Sequence, residues 1–336
     1  MKTLTLLLAM LLSASLSAQP AETFYNNGLE KHGKKDYAGA IAEYTKALEL
    51  NPRLNLAWYN RGAAKLILED YEGAINDYTK SIELNPSDAE ALYSRGLAKE
   101  YLDRDRDAVD DYLRAVQIDP NHARSWFNKG LIMFSLRHYQ EAISDLTTVI
   151  KLDPKNADAY YNRAEAERML KNFYGAISDY SRSLEINPRD AYAYINSGMC
   201  KCQLKDFTGA ADDYSRALEI DPDQFSAWYS RGYARQTLGD FQGAISDYNE
   251  TIVRKPDMVN AYLNRGVAKY SLKDYPGALA DYNKVLELAP SNSLAYFNRG
   301  VTKNNIGDKT GACEDWKKAA ELGESEAFAL IEEFCK

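Results

Sequence analysis

Residues 55–88 read NLAWYNRGAAKLILEDYEGAINDYTKSIELNPSD, and residues 225–258 read FSAWYSRGYARQTLGDFQGAISDYNETIVRKPDM. Both 34-residue stretches contain a tryptophan and a glycine at helical spacing, an alanine twelve positions after the glycine, and a late proline. The small residues allow two helices to approach closely, and the proline ends the second helix because it has no N–H to donate. The stretch therefore predicts a helical hairpin.

This unit recurs nine times between residues 21 and 326 without an insertion or a deletion. The first column of small residues holds Gly28, Gly62, Gly96, Gly130, Ala164, Gly198, Gly232, Gly266 and Gly300. The second column holds alanine in every unit, from Ala40 to Ala312, and eight units have the proline, from Pro52 to Pro290. One hairpin cannot bury its own apolar face, so neighbouring units must stack.

The period and these anchor residues resemble the tetratricopeptide repeat (TPR) family. The resemblance implies an all-α fold, a right-handed α-solenoid or superhelix of nine 34-residue helix-turn-helix repeats with a C-terminal capping helix. The predicted repeats are 21–54, 55–88, 89–122, 123–156, 157–190, 191–224, 225–258, 259–292 and 293–326, and the capping helix covers 324–336. We expect one domain, because no linker interrupts the array.

Residues 1–18 predict a signal peptide. Lys2 precedes an apolar run from Leu4 to Leu12 that is too short to cross a bilayer, and a small, mostly polar stretch follows it. Cleavage after Ala18 or after Ser17 fits, and we prefer Ala18. The segment and the closing repeat look like exported repeat proteins of Gram-negative bacteria. We therefore expect a periplasmic or secreted protein without membrane insertion.

The composition argues against several functions. With 41 Lys+Arg against 49 Asp+Glu, the net charge of -8 disfavours a nucleic-acid partner. His32, His122 and His138 are the three histidines, and none has a Cys or His at metal-ligand spacing. Since the glycines recur inside helices, they do not form a phosphate loop. We predict no catalytic residues, no metal and no cofactor, and hence no enzyme.

Recurring charges predict a structural ladder. An acid precedes the second-helix aromatic or leucine in every unit, as Asp111 and Asp247 do, and a cation such as Arg95 precedes the first small residue in seven units. Because the acid and the cation recur at a fixed offset, we predict an ion pair that ties adjacent helices together in each unit. We prefer this structural role to the alternative, a row of arginines that bind a ligand. Asn27 and Ser197 replace the cation in two units, where we expect a weaker joint.

A carboxylate clamp is disfavoured. Clamp-type TPR proteins hold the C-terminal tails of chaperones with Lys, Asn and Arg on the inner side of the first helices. At the corresponding positions this chain has Tyr25, Leu29, Glu90 and Ser94, and Asn60 alone matches.

The resemblance implies that five positions of each first helix line a groove. In repeats one to five these positions include Glu22, Glu90, Glu100, Arg124, Asp158, Glu165 and Arg168. In repeats six to nine none of the 20 equivalent positions is charged, where about five are expected from a chain with 27% charged residues. The predicted partner-binding residues are Tyr192, Ile195, Met199, Tyr229, Tyr233, Gln236, Leu263, Val267, Tyr270 and Phe297. Tyr229, Tyr233 and Tyr270 are the expected anchors.

The predicted function is a scaffold that binds a protein or peptide in this groove and supports assembly of an envelope or secreted complex. The alternative is a receptor that uses the tyrosine-rich groove for a small molecule, a glycan or a lipid. The sequence leaves the identity of the partner and the oligomeric state open.

The four cysteines divide into two pairs. Cys313 lies ten residues before Gly323 and Cys335 twelve after it, so in an antiparallel hairpin the two can face each other, and we predict a disulfide. Cys200 and Cys202 are two positions apart on one helix and cannot bridge without unwinding it. We expect both to be small core or groove residues.

Overall fold

A computed structural model describes residues 20–335, which contain nineteen helices and no strand. Repeats one to four consist of α1 (20–33), α2 (Tyr37–Leu50), α3 (Asn55–Ile67), α4 (Tyr71–Leu84), α5 (Ala89–Glu100), α6 (Asp105–Ile118), α7 (Ala123–Ser135) and α8 (Tyr139–Leu152). Repeats five to nine consist of α9 (Ala157–Met169), α10 (Phe173–Ile186), α11 (Ala191–Gln203), α12 (Phe207–Ile220), α13 (Phe225–Thr237), α14 (Phe241–Arg254), α15 (Val259–Ser271), α16 (Tyr275–Leu288), α17 (Ser293–Asn305) and α18 (Lys309–Glu321). The last helix is α19 (Glu326–Phe334). The predicted signal peptide and Lys336 lie outside the described residues.

The chain forms two compact units, one up to Ala166 and one from Glu167, and the division falls within α9. In each unit the two helices of a repeat pack on each other, and the second helix packs on the first helix of the next repeat. This connectivity is that of an α-solenoid, and the predicted all-α fold is confirmed. The helix α19 packs on α18 at the end of the array. That the whole array is one domain stays a prediction.

The small residues of the first column explain the close helix approach. A Cβ atom added to Gly266 would lie 2.7 Å from the ring of Tyr282, and one added to Gly300 would lie 2.7 Å from Trp316. These rings are almost fully buried. Glycine therefore leaves the space that the large second-helix side chain fills, as the sequence pattern predicts.

Each turn between the two helices of a repeat uses the left-handed backbone region. Gly239 and Gly307 have positive φ there, and seven non-glycine residues do as well: Lys35, Glu69, Asp103, Arg137, Lys171, Lys205 and Lys273. In most repeats an aspartate or asparagine then caps the second helix. In repeat seven, for example, Asp240 Oδ1 accepts a hydrogen bond from the Gly243 N–H at 2.9 Å.

The predicted ladder of ion pairs is confirmed, and in repeats two, three, seven, eight and nine its arginine joins three helices. Arg231 on α13 donates to both carboxylate oxygens of Asp247 on α14, at 3.0 Å from Nε and 2.7 Å from Nη2. Its Nη1 donates to Ser215 Oγ on α12 at 3.0 Å, so the guanidinium also ties repeat seven to repeat six. Arg235 Nη1 donates to the same carboxylate at 2.9 Å. The planar guanidinium is suited to this bidentate contact.

The ladder contact of repeat six is weaker than that of repeat seven, as expected because Ser197 replaces the cation. Lys201 Nζ lies 2.7 Å from Asp213 Oδ2, but the angles are not those of a hydrogen bond. The Asp213 side chain is 13% exposed, against 1% for Asp247. Between α11 and α12 the ladder therefore consists of one ion pair, where repeat seven has a buried carboxylate between two arginines.

Candidate functional site

The predicted groove residues lie on the first helices of repeats six to nine, all within the second compact unit. Tyr192, Met199 and Tyr233 are exposed, with 60%, 43% and 47% of their surface accessible. The half-buried members are Tyr229, Gln236, Val267, Tyr270 and Phe297. The surface that these side chains form is called the tyrosine groove below.

Two members of the predicted set are buried. Ile195 is 7% exposed and packs in a core cluster with Tyr214 and Leu218, and Leu263 is 9% exposed and packs with Tyr282. They support the first helices from behind and offer little surface to a ligand. Both side chains point toward the neighbouring helices. An apolar residue at this position of the repeat could equally face the groove, so the sequence alone does not distinguish the two orientations.

The tyrosine side chains are held in place by amides of the following repeat. Asn264 Nδ2 donates to Tyr229 Oη at 3.1 Å, and Asn305 Nδ2 donates to Tyr270 Oη at 2.9 Å. Burial raises the pKa of Tyr229, and the hydrogen bond from Asn264 only partly offsets this, so the phenol is neutral. Rings fixed in this way lose little entropy when a ligand covers them.

A cavity of about 190 Å³ lies between repeats six and seven. Its lining is formed by Met199, Cys202, Gln203, Tyr214, Tyr229, Ser230 and Tyr233. Three predicted residues, Met199, Tyr229 and Tyr233, thus come together at one place. We call this the aromatic cavity.

The other predicted members do not line the aromatic cavity. Val267 and Tyr270 pack against the core cluster around Tyr282, and Phe297 packs against the cluster around Trp316. Gln236 Oε1 accepts a hydrogen bond from the buried Tyr248 hydroxyl at 3.0 Å, which leaves its amide nitrogen as the donor it can offer a ligand.

A second cavity, of about 250 Å³, adjoins the aromatic cavity. It is lined by Arg168, Met169, Lys171, Phe173, Met199, Cys200 and Gln203. We call it the basic cavity. Sequence reasoning placed Arg168 on the groove but missed Lys171 and Phe173, because they lie in the turn after α9 and at the start of α10.

The four cysteines form the disulfide and the pair of free thiols that the sequence predicts. Cys313 and Cys335 are joined by a disulfide with a Cα–Cα distance of 5.6 Å. Cys200 is buried, and Cys202 lies with its Sγ 3.7 Å from the Tyr214 hydroxyl. Burial raises the pKa of Cys202, so this wall of the aromatic cavity holds a neutral thiol.

The first helices of the first unit have a different surface. Glu90 on α5 lies 2.5 Å from Arg124 Nη2 and 3.1 Å from His122 Nε2, and the Arg124 guanidinium stacks 4.6 Å from the ring of Tyr93. Burial would raise the pKa of Glu90, but the hydrogen bonds from His122 and Arg124 and their charges bring it below its usual range. We call these four residues the Glu90 cluster.

The described residues contain neither a cluster of metal-binding side chains nor a helix that could cross a bilayer. Between residues 20 and 335, no group of three or more His, Cys, Asp or Glu side chains could hold a metal ion. Within the same part of the chain, none of the helices has both the length and the apolar character of a bilayer span.

Comparison with known proteins gives one consistent result at the level of the fold. Family profiles described as "Tetratricopeptide repeat" match residues 21–54, 56–88, 102–171, 157–190 and 229–293, and one described as "TPR repeat" matches 201–239. No match to a curated protein was found.

Solved structures share the fold at low sequence identity. The crystal structure of YrrB is 22% identical over 55% of this chain and 95% of its own, with a TM-score of 0.52. A TPR protein from Parabacteroides merdae ATCC 43184 is 24% identical over 74% of this chain and 98% of its own, with a TM-score of 0.50. Since the repeat profiles match most of the chain, the protein belongs to the tetratricopeptide repeat family.

Proposed function

We propose that the protein is a non-catalytic scaffold that binds a protein or peptide partner in the tyrosine groove. The observation that supports this most is the combination of exposed Met199 and Tyr233 with hydrogen-bonded Tyr229 around one uncharged cavity. Aromatic side chains with polar tips and little rotamer freedom favour partner binding. One solved structure of this fold, YrrB, is described as a TPR protein with an unusual peptide-binding site.

An extended peptide or an apolar helix suits this surface better than a small molecule. The two adjoining cavities, of about 190 and 250 Å³, share Met199 and Gln203 along α11, so a ligand that fills both must be extended. No specific observation favours a glycan or lipid receptor over a peptide-binding scaffold. A peptide can cross several first helices and use the exposed tyrosines outside the cavities as well.

The test is selection of a displayed random-peptide library on the mature chain, followed by affinity measurement with the selected peptides. The double variant Tyr233→Ala, Tyr270→Ala should keep its helical circular dichroism and weaken binding about 30-fold or more, since each anchor contributes more than about 1 kcal/mol. Tyr174→Ala is the matched control, because Tyr174 is 76% exposed on α10 and lines neither cavity. Unchanged binding by the double variant would move the site to the mixed-charge groove of repeats three to five.

Export to the periplasm, or secretion, is part of the proposal and rests on residues 1–18. Assembly of an envelope or secreted complex is the role that such a location suggests for a scaffold. Expression of the full chain in a Gram-negative bacterium, followed by fractionation and N-terminal sequencing, tests the location. We expect the periplasmic protein to begin at Gln19, and an intact leader on cytoplasmic material would contradict export.

A further inference from the structure

Two cavities of the second unit share one wall on α11. Met199 and Gln203 line both the basic and the aromatic cavity. Because these residues are four positions apart, they lie on the same face of the helix. A ligand that lies across Met199 can therefore fill both cavities at once.

The two cavities differ in charge. Arg168 and Lys171 line the basic cavity, and no carboxylate is among its lining residues. Met169 and Phe173 contribute apolar surface to the same lining. The aromatic cavity has no charged residue in its lining. The shared wall thus separates a cavity lined by two basic side chains from a cavity lined by uncharged residues.

We infer that the partner peptide contains an Asp or Glu side chain and an apolar side chain on the same face, two positions apart in an extended peptide, and that they occupy the basic and the aromatic cavity respectively. This rests on the proposed function and specifies its ligand. The ammonium of Lys171 and the amide of Gln203 are donors suited to a carboxylate. Met199, Tyr229 and Tyr233 supply polarizable and aromatic surface for the apolar side chain.

The position of Lys171 favours an acidic side chain over a terminal carboxylate. Lys171 lies in the turn after the C-terminal end of α9, at one side of a surface formed by successive first helices. A peptide that crosses α11 and α13 can direct a side chain toward Lys171 without having an end there.

The turn allows a clean reversal of charge. Lys171 is exposed with φ 62°, and Glu69 has the same φ of 62° at the equivalent turn of repeat two, so Lys171→Glu places a residue that this turn already accepts. Lys205→Glu is the matched control. Lys205 is exposed with φ 64° in the next repeat and lines neither cavity, yet the substitution changes the net charge equally.

The experiment selects a displayed random-peptide library separately on the mature wild type, Lys171→Glu and Lys205→Glu. Wild type and Lys205→Glu should enrich Asp or Glu two positions from an apolar residue about threefold or more over the unselected library. Lys171→Glu should lose that enrichment and favour Lys or Arg at the same place. Equal acidic enrichment with all three proteins would overturn the inference.

Synthetic peptides from the wild-type selection then locate the carboxylate. Replacing the acidic residue by its amide should weaken binding about tenfold to wild type and to Lys205→Glu, and hardly at all to Lys171→Glu. Amidation of the peptide C-terminus should leave binding unchanged, and a loss on amidation would overturn the side-chain assignment. Peptides that need Tyr233 but show no acidic preference would refute this inference alone. A selection that yields no peptide would refute the proposed function with it.

Discussion

The Glu90 cluster and the tyrosine groove both lie on the first helices of their repeats, but their polar side chains have different hydrogen-bond partners. In the Glu90 cluster the carboxylate is bound by Arg124 and His122, and Arg124 also lies on Tyr93. In the tyrosine groove the polar tips of Tyr229 and Tyr270 are paired with neutral amides.

The comparison shows that a groove position can be charged or aromatic without a change in the repeat behind it. Arg95 and Lys99 hold Asp111 behind the Glu90 cluster in the way that Arg231 and Arg235 hold Asp247 behind the tyrosine groove. Charges in the first region are used within the protein, and the uncharged aromatic surface of the second is what a partner can cover.

The largest expected effect tests whether the ladder behind the two regions is the same. Asp111→Asn and Asp247→Asn each leave two cations around a neutral amide, so each should lower the free energy of unfolding by about 3–5 kcal/mol. Asp213→Asn, which removes a partner from Lys201 alone, should cost about 1–2 kcal/mol. Urea titrations of the three variants give the comparison. Equal costs for Asp213 and Asp247 would contradict the weaker ladder contact of repeat six.

The disulfide packs against the same core cluster as Phe297 at the end of the array, and its removal should affect neither the aromatic cavity nor the Glu90 cluster. Cys313→Ser removes a cross-link between residues 22 positions apart, which costs about 3 kcal/mol in the loop-entropy model. Hydrogen exchange should speed up in α18 and α19 and stay unchanged in α5, α11 and α13. Peptide mapping of exported protein without reductant should find the bridge, and two free thiols there would refute it.

An exchange of residues between the two regions tests which one binds. Glu100 accepts a hydrogen bond from Tyr112 at 2.8 Å, as Gln236 does from Tyr248, so Gln236→Glu keeps the buried bond and brings a charge into the tyrosine groove. It should weaken peptide binding about tenfold, or about 1.4 kcal/mol, by desolvation of the carboxylate. Glu100→Gln is the reciprocal control and should leave binding unchanged. Equal effects of the two substitutions would place the ligand elsewhere.

The smallest expected effect is the pH dependence of stability that Glu90 contributes. Because the folded-state pKa of Glu90 is lowered, its contribution to stability is present above the unfolded value of about 4.3 and is lost as the pH falls through the folded pKa. The effect should be small, since the Glu90 side chain is 39% exposed. The stability difference between wild type and Glu90→Gln should shrink from pH 7 to pH 3. An NMR titration of the Glu90 carboxyl carbon gives its pKa in the folded protein. A pKa at or above the ordinary glutamate value would contradict this prediction.

The repeat architecture could be predicted from sequence because its causes are local and recur. Glycine opposite a large ring, as at Gly266 and Tyr282, leaves a direct trace in the residue types at a fixed interval. The ladder was predictable for the same reason, since acid and cation recur at one offset. The seven non-glycine residues with positive φ were not, because side chains such as Lys171 and Glu69 give no signal for a left-handed turn.

The candidate site was predictable only in part. The lack of charge indicated which first helices to consider, but the burial of Ile195 and Leu263 depends on how successive repeats rotate against each other. The basic cavity needs Lys171 and Gln203 to come close, and these residues belong to different repeats without a shared pattern. Volume left between side chains is a property of packing, and residue type alone does not determine it.

The crystal structure of the mature chain with a selected peptide would test the central claim most directly. The account predicts peptide density across the first helices of repeats six to nine, with an apolar side chain against Met199, Tyr229 and Tyr233. The Glu90 cluster should keep its internal ion pairs in the same crystal. A peptide bound at Glu90 and Arg124, with the tyrosine groove uncovered, would contradict the account.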